Sequence, residues 1–223
     1  MDKHQNVNCV VRTGFQYKGR GQTGNFWESE KDKNLLLSCC IYPKSLLASR
    51  QFILFKFVSL ALFHVLRQYL PEKDLKIKWP NDLYYNNKKL AGVLIENTIL
   101  GDKIQNTIIG IGLNINQIKF YGEAKNPTSL ALHLKHELDV DRIEEQLLDS
   151  LAIGYSMLGN SKPDLLNNEY LTRLYRINNW HRFKIKGREY MARIVGVDNF
   201  GFLLLDYEGK RQSFDIKEVE YIF

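Results

Sequence analysis

The stretch Phe52–Leu66 limits the fold more than any other part of this 223-residue chain. Its 15 residues are all apolar except Lys56, Ser59 and His64. A bilayer crossing takes about 20 apolar residues and disfavours an internal lysine, so the stretch reads as the core helix of a soluble protein. The helical period runs from Leu46 to Tyr69 and stops ahead of Pro71, where a backbone donor is lost. A secretory leader is not expected, because Met1–Asn6 is polar with no apolar run behind it. A chain this long buries roughly 70–75% of its unfolded surface and needs no staples. The three cysteines, Cys9, Cys39 and Cys40, match no zinc spacing and read as reduced core cysteines of a cytoplasmic protein. With 44% hydrophobic and 25% charged residues, collagen, coiled coil and wholesale disorder are excluded. The net charge of +6 (31 basic against 25 acidic residues) suits an anionic partner without identifying one.

Around the core helix the pattern alternates between strands and helices. Strands are expected at Val7–Thr13 (buried), Leu35–Tyr42, Leu75–Trp79 and Thr107–Asn116, with a long loop over Phe15–Asn34. Asp82–Tyr85 and Lys89–Asn97 flank Asn86-Asn87 as a hairpin. Ser129–Leu138 and Ile143–Leu158 read as helices, with Asp141 and Glu144 as a capping box. Beyond Asn178 short alternating strands dominate: Phe183–Ile185, Tyr190–Val197, Phe202–Asp206 and Arg211–Ile216. The expected fold is α/β (α+β), a mixed and largely antiparallel sheet with helices over residues 1–178. A small SH3-like β-barrel over residues 179–223 follows it.

Four clusters carry the chemistry. Gly19, Gly21 and Gly24 fit the letters of a dinucleotide loop, but no helix opens after them and no Walker loop occurs. What remains is a glycine-rich loop whose N–H groups and Arg20 suit an anion, or a flexible surface turn. In Lys78-Trp79-Pro80-Asn81-Asp82, Pro80 ends a strand and leaves Asn81 and Asp82 projecting toward an amine or a magnesium water shell; an ordinary turn is the alternative. Lys89 precedes a buried run that contains Gly92, with Lys88 on the opposite face; a surface lysine pair is the alternative. In Gly110-Ile111-Gly112-Leu113-Asn114 the two glycines strip one strand face as a slot for a flat ligand, and Asn114 continues that face toward a nucleobase. Tight helix–sheet packing would need the same glycines.

Each cluster is weak alone, but their order and spacing are specific. A G-R-G loop ending in Trp27, then K-W-P-N-D, K-L-A-G-V-L-I-E and G-I-G-L-N-I-N together resemble the biotin protein ligase family, from about Val7 to the end of the chain. The resemblance implies a class II synthetase-like core of the single-function type, without the DNA-binding domain. It implies ATP and Mg2+ as cofactors, biotinyl-5′-adenylate as intermediate, and a lysine of the biotin carboxyl carrier protein of acetyl-CoA carboxylase as acceptor. Gln16, Gly19, Arg20, Gly21, Gln22, Lys89, Gly92 and Leu94 are the biotin side. Arg20, Trp27, Asn81, Asp82, Lys89 and Asn114 are the ATP side. Lys89, Arg20 and Asp82 carry the catalysis; Asn81 and Asp82 match residues around the adenylate and its metal, which the phosphates hold, with Asp82 the candidate protein contact. The partners implied are the carrier protein, no DNA and no membrane, with the chain a monomer or homodimer.

Two departures accompany the resemblance. Gln22 stands where many members have a second arginine. The family's opening strand and helix with Ser-Thr-Asn have no counterpart, so an N-terminal element is expected to be missing. A lipoate–protein ligase shares fold and mechanism and is the nearest rival, and a binding-only relic is a further one. A nucleic-acid module is suggested by Arg173, Arg176, Arg182, Lys184, Lys186, Arg188 and Arg193 against one acid, Glu189. A docking face for an acidic carrier explains the same residues.

Overall fold

The computed structural model describes residues 7–122, 126–158 and 163–223, so the polar opening Met1–Asn6 lies outside it. In chain order come β1 (Cys9–Thr13), β2 (Gly19–Arg20), β3 (Phe26–Trp27), β4 (Asn34–Ile41) and α1 (Phe52–Leu66). Next are β5 (Leu75–Lys78), β6 (Asp82–Tyr85), β7 (Lys88–Leu100) and β8 (Lys103–Asn114). Three helices follow, α2 (Leu130–Leu134), α3 (Val140–Leu158) and α4 (Pro163–Thr172). The last strands are β9 (Trp180–Ile185), β10 (Arg188–Val197), β11 (Leu203–Tyr207), β12 (Lys210–Phe214) and β13 (Val219–Tyr221).

Six strands form an antiparallel sheet in the order β1-β4-β8-β7-β6-β5. Alternation sends Leu35, Leu37, Cys39 and Ile41 of β4, and Ile109, Ile111 and Leu113 of β8, to the inner face. There α1 fills the core, with Leu54, Val58, Leu62, Phe63 and Leu66 each 0% exposed. Each such burial contributes roughly 1.5–3 kcal/mol. The helix packs on α3 and α4 as well as the sheet, which is why it is apolar on nearly every side. By length and composition alone Ala48–Leu66 would cross a membrane, but 67% of that window is buried inside the fold. The helix starts at Phe52 because Leu46 and Ala48 hydrogen-bond to the β7–β8 turn, at Ile104 and Asp102. The β6–β7 hairpin turns at Asn86 and Asn87, whose φ angles of 48° and 63° are those a two-residue primed turn requires.

Four local expectations are corrected. β1 is exposed along its length, with Val11 at 63%, because it is an edge strand paired only to β4. Its Arg12 fastens it to α3 through Asp141 and Glu144. Cys39 alone of the three cysteines is therefore buried. The cap of α3 is Asp139, whose carboxylate accepts from the Asp141 N–H at 2.9 Å and the Arg142 N–H at 3.4 Å. α2 is a short helix ended by Lys135 in the left-handed region at φ 66°.

The last five strands form a second sheet, ordered β12-β11-β10-β9-β13, around Phe183, Ile185, Ile194, Leu205 and Phe214. It joins the same hydrophobic core as the first. The Trp79 indole donates to the Gly201 carbonyl at 2.9 Å across the junction.

Candidate functional site

The outer face of the first sheet is read most directly in rows across the strands. One row runs Leu36, Gly112, Gly92, Asp82 and Lys78; the next runs Val11, Ser38, Gly110 and Leu94. Among the described residues no helix covers this face. The β2–β3 ribbon and its flanking loop arch over it instead and enclose a cleft of about 270 Å³. Gln16, Arg20, Gly21, Gln22, Trp27, Asn81, Asp82, Lys89, Gly92 and Leu94 all line it, so most of the residues predicted as one site do converge.

The centre of the site is an ion pair under an indole. The Lys89 ammonium lies 2.8 Å from Asp82 Oδ1, and both side chains are largely shielded. The same ammonium is 5.7 Å from the centroid of Trp27. A bulge in β7 between the Leu83 and Tyr84 registers makes this possible. Strict alternation from Gly92 would put Leu90 on the cleft face and Lys89 in the core. The extra residue reverses the parity, so Leu90 is 0% exposed and Lys89 faces the cleft. The Lys89 backbone is held on its other side by residues 126 and 128, donating to Asn126 O at 2.7 Å and accepting from Thr128 N at 2.8 Å.

Trp27 occupies the glycine slot itself. A Cβ on Gly112 would meet its ring at 2.3 Å, and one on Gly92 at 3.1 Å. The slot read as a ligand seat is thus filled by the protein's own flat side chain. Its Nε1 is buried without a partner.

The other predicted residues have partners within the protein. Arg20 is directed at Glu96 on the cleft rim, its two terminal nitrogens 3.1 and 3.3 Å from the two carboxylate oxygens, and the pair is exposed. Asn81 lines the cleft, but its side-chain amide donates to the Val93 carbonyl and its main-chain carbonyl accepts from the Val93 N–H at 3.1 Å, locking β7 to the end of β5–β6. Gly19 does not line the cleft; it pairs with Trp27, whose carbonyl a Cβ would meet at 2.5 Å. Asn114 does not line it either. It is 3% exposed and donates to the Thr128 carbonyl at 2.9 Å, which fixes the segment behind Lys89.

The sequence reading passed over Glu96, Ser38, Ile108 and Ile216 as site residues, and assigned Lys78 no part. Glu96 was findable, since it continues the Gly92–Leu94 face at period two. Ile216 was not, since it arrives from the second sheet. Lys78 lies over two rings, 4.5 Å from the centroid of Tyr221 and 5.4 Å from that of Tyr84. Burial raises the pKa of both phenols, so they are neutral. Among the described residues no group of three His, Cys, Asp or Glu side chains is placed to hold a metal ion.

Comparison with known proteins gives a consistent picture. The profile of the Biotin/lipoate A/B protein ligase family matches residues 2–114. The chloroplastic biotin–protein ligase 1 of Arabidopsis thaliana is 39% identical over 118 residues, 49% of this chain and 30% of its own length. The chain thus spans under a third of that relative. The biotin–[acetyl-CoA-carboxylase] ligase of Paracoccus denitrificans is 28% identical over 211 residues, covering 92% of this chain and 86% of its own. In fold, the biotin protein ligase of Aquifex aeolicus in complex with biotin and ATP superposes with a TM-score of 0.78 at 22% identity, over 95% of this chain and 87% of that one.

Proposed function

We propose, from the premise that this chain belongs to the Biotin/lipoate A/B protein ligase family, that it joins biotin to ATP as biotinyl-5′-adenylate and passes the biotinyl group to a carrier lysine. The observation that carries this reading is the Lys89–Asp82 pair beneath Trp27, in a cleft floored by glycines and rimmed by Arg20. Two anions, a carboxylate and a triphosphate, must meet there. Lys89 sits at the centre and Arg20 at the mouth, and the two cations offset that repulsion and stabilise charge developing on the phosphorus. Displacement of pyrophosphate by the biotin carboxylate leaves an acyl adenylate with AMP as leaving group. The carrier amine then attacks the carboxyl carbon, and Asp82 is the carboxylate placed to receive its proton. Asp82 and Glu96 are the carboxylates lining the cleft, and they form no protein cage for a metal. Mg2+ fits as a passenger on the triphosphate, where it neutralises phosphate charge when bound.

The acceptor proposed is the carrier protein of a biotin-dependent carboxylase, with residues 1–178 as the catalytic part and residues 179–223 as its C-terminal companion, in the cytoplasm. The relatives named above as biotin ligases, at 28–39% identity, favour biotin over lipoate. The deciding experiment measures pyrophosphate release with ATP and either biotin or lipoate. Release with biotin alone supports the reading. Release with lipoate alone, or with neither, overturns it.

A further inference from the structure

We propose that Cys9 and Cys40 form a paired-thiol modification site, which a low-mass disulfide closes into an intrachain bond tying β1 to β4. This inference is independent of the chemistry assigned to the cleft. Cys9 of β1 and Cys40 of β4 are directly opposed in the antiparallel register. Opposed residues place their side chains on the same face, with Cα atoms about 4.5 or 5.5 Å apart depending on the hydrogen-bonding pattern. Both spacings fall within the roughly 4.4–6.8 Å that a disulfide spans.

The surroundings separate this pair from the third cysteine. Cys9 is exposed and Cys40 is half-buried, whereas Cys39 is 6% exposed within the core. Alternation along β4 puts Cys39 on the α1 face with Leu37 and Ile41, and Cys40 on the outer face with Leu36 and Ser38. Burial pushes the Cys39 thiol up to about 11, so it stays protonated and inert. The row containing Cys9 and Cys40 continues through Ile108 to Glu96, both of which line the cleft. β1 is paired on one side only, and it leads directly into the loop that carries Gln16 and Arg20. An edge strand of this kind is among the first elements to open. A bond at Cys9 anchors the start of the strand that leads into that loop.

The exchange balances without a further reactant. The Cys9 thiolate attacks one sulfur of the small disulfide and expels one small thiol, leaving a mixed disulfide on Cys9. The Cys40 thiolate attacks the Cys9 sulfur, the protein S–S bond forms, and the second small thiol leaves. The two protein thiols give up two protons and two electrons, which convert the small disulfide into two thiols.

The test treats the full chain with oxidised glutathione and then maps it by non-reducing tryptic digestion and intact mass. The expected product is a monomer lighter by about 2 Da, with the Cys9 peptide linked to the peptide holding Cys39 and Cys40. Cys9→Ser and Cys40→Ser should each abolish the link, while Cys39→Ala should retain it. The melting temperature should rise by roughly 5 °C on oxidation and return with dithiothreitol, since about thirty residues are closed into a loop. A stable glutathione adduct on Cys9, a disulfide-linked dimer, or a link that survives in Cys40→Ser would each overturn the proposal. Circular dichroism of the variants separates loss of the bond from loss of the fold.

Discussion

Gly112→Ala tests whether the indole in the glycine slot is part of the working site. The added methyl would lie 2.3, 2.6 and 2.8 Å from three atoms of the Trp27 ring. Carbon contacts settle near 3.5–4.0 Å, so the ring must withdraw by about 1 Å or more. β8 cannot yield, since Gly112 is paired to Leu36 on one side and Gly92 on the other. Trp27 can, because β3 pairs only with the two-residue β2. Exposing about 60 Å² of ring costs about 1.5 kcal/mol. Giving the unpartnered Nε1 to water returns about 1 kcal/mol of that. The net loss of about 1 kcal/mol or less moves the melting point by only about 2–4 °C. Catalysis should suffer far more, because Lys89 rests against the same ring and a 1 Å misplacement costs on the order of 10² in rate. The assay combines thermal melting, tryptophan emission and pyrophosphate release. Trp79, 2% exposed, and Trp180, 52% exposed on β9 and outside the cleft, give a steady background, so a red shift reports on Trp27. A variant with unchanged emission and unchanged turnover would refute the reasoning. A collapse of the melting point by well over 5 °C would show that Gly112 serves packing rather than the site.

Lys89→Met should cut adenylate formation by about 10²–10³, since one clamp on a developing charge is lost, and should lower the melting point, since Asp82 keeps its charge in a shielded site without its partner; normal pyrophosphate release would remove Lys89 from the mechanism. Arg20→Ser should leave stability unchanged, because the exposed pair with Glu96 contributes below about 1 kcal/mol, yet let the adenylate escape and label unrelated proteins. Streptavidin blotting of added albumin checks this, and an absence of labelling counts against Arg20 as the retaining group. Lys56→Met should raise the melting point at neutral pH. Burial lowers the folded pKa of Lys56 below its unfolded 10.5, so the unfolded chain binds more protons between the two values and stability rises with pH there. The cost of charging is fully present below the folded pKa. The variant should lack that alkaline gain; an identical pH profile in both proteins would show that Lys56 is not strained by burial.

Much of this arrangement was legible in the sequence, and what was not has identifiable causes. The core helix, the Asn86-Asn87 hairpin and the strand carrying Gly110 and Gly112 follow from period and turn chemistry, which are local. The edge position of β1 is not local. Its Val10 and Val11 carry the same letters as a buried strand, and only the pairing order exposes them. Lys89 was chosen for standing ahead of a buried run, but what turns it to the cleft is the bulge at Leu90, which no residue type announces. Asn114 has the composition of a base reader and the position of a strut. Its amide is taken by the Thr128 carbonyl, a partner fourteen residues away that period cannot reveal. Gly19 leaves room for the Trp27 carbonyl across the β2–β3 ribbon, a contact that its letter does not reveal.

The second sheet takes part in the cleft rather than trailing behind it. Ile216 closes one wall, and Tyr221 of β13 lies under the ammonium of Lys78, the residue directly opposite Asp82 in the β5–β6 register. Arg176 donates to the Ile222 carbonyl at 2.9 Å and lies over the rings of Tyr175, Tyr221 and Phe223. These are shielded cation–aromatic contacts, stronger than the same contacts in water. They also account for much of the basic run that suggested nucleic acid. Arg173 is paired to Glu72, Lys184 to Glu220, Lys186 to Glu218 and Arg193 to Asp206. Arg176 is the residue of that run that reaches from the end of α4 to the last strand, and Lys78, seated on the Tyr221 ring and opposite Asp82 in the β5–β6 ladder, links the same strand to the Lys89 pair.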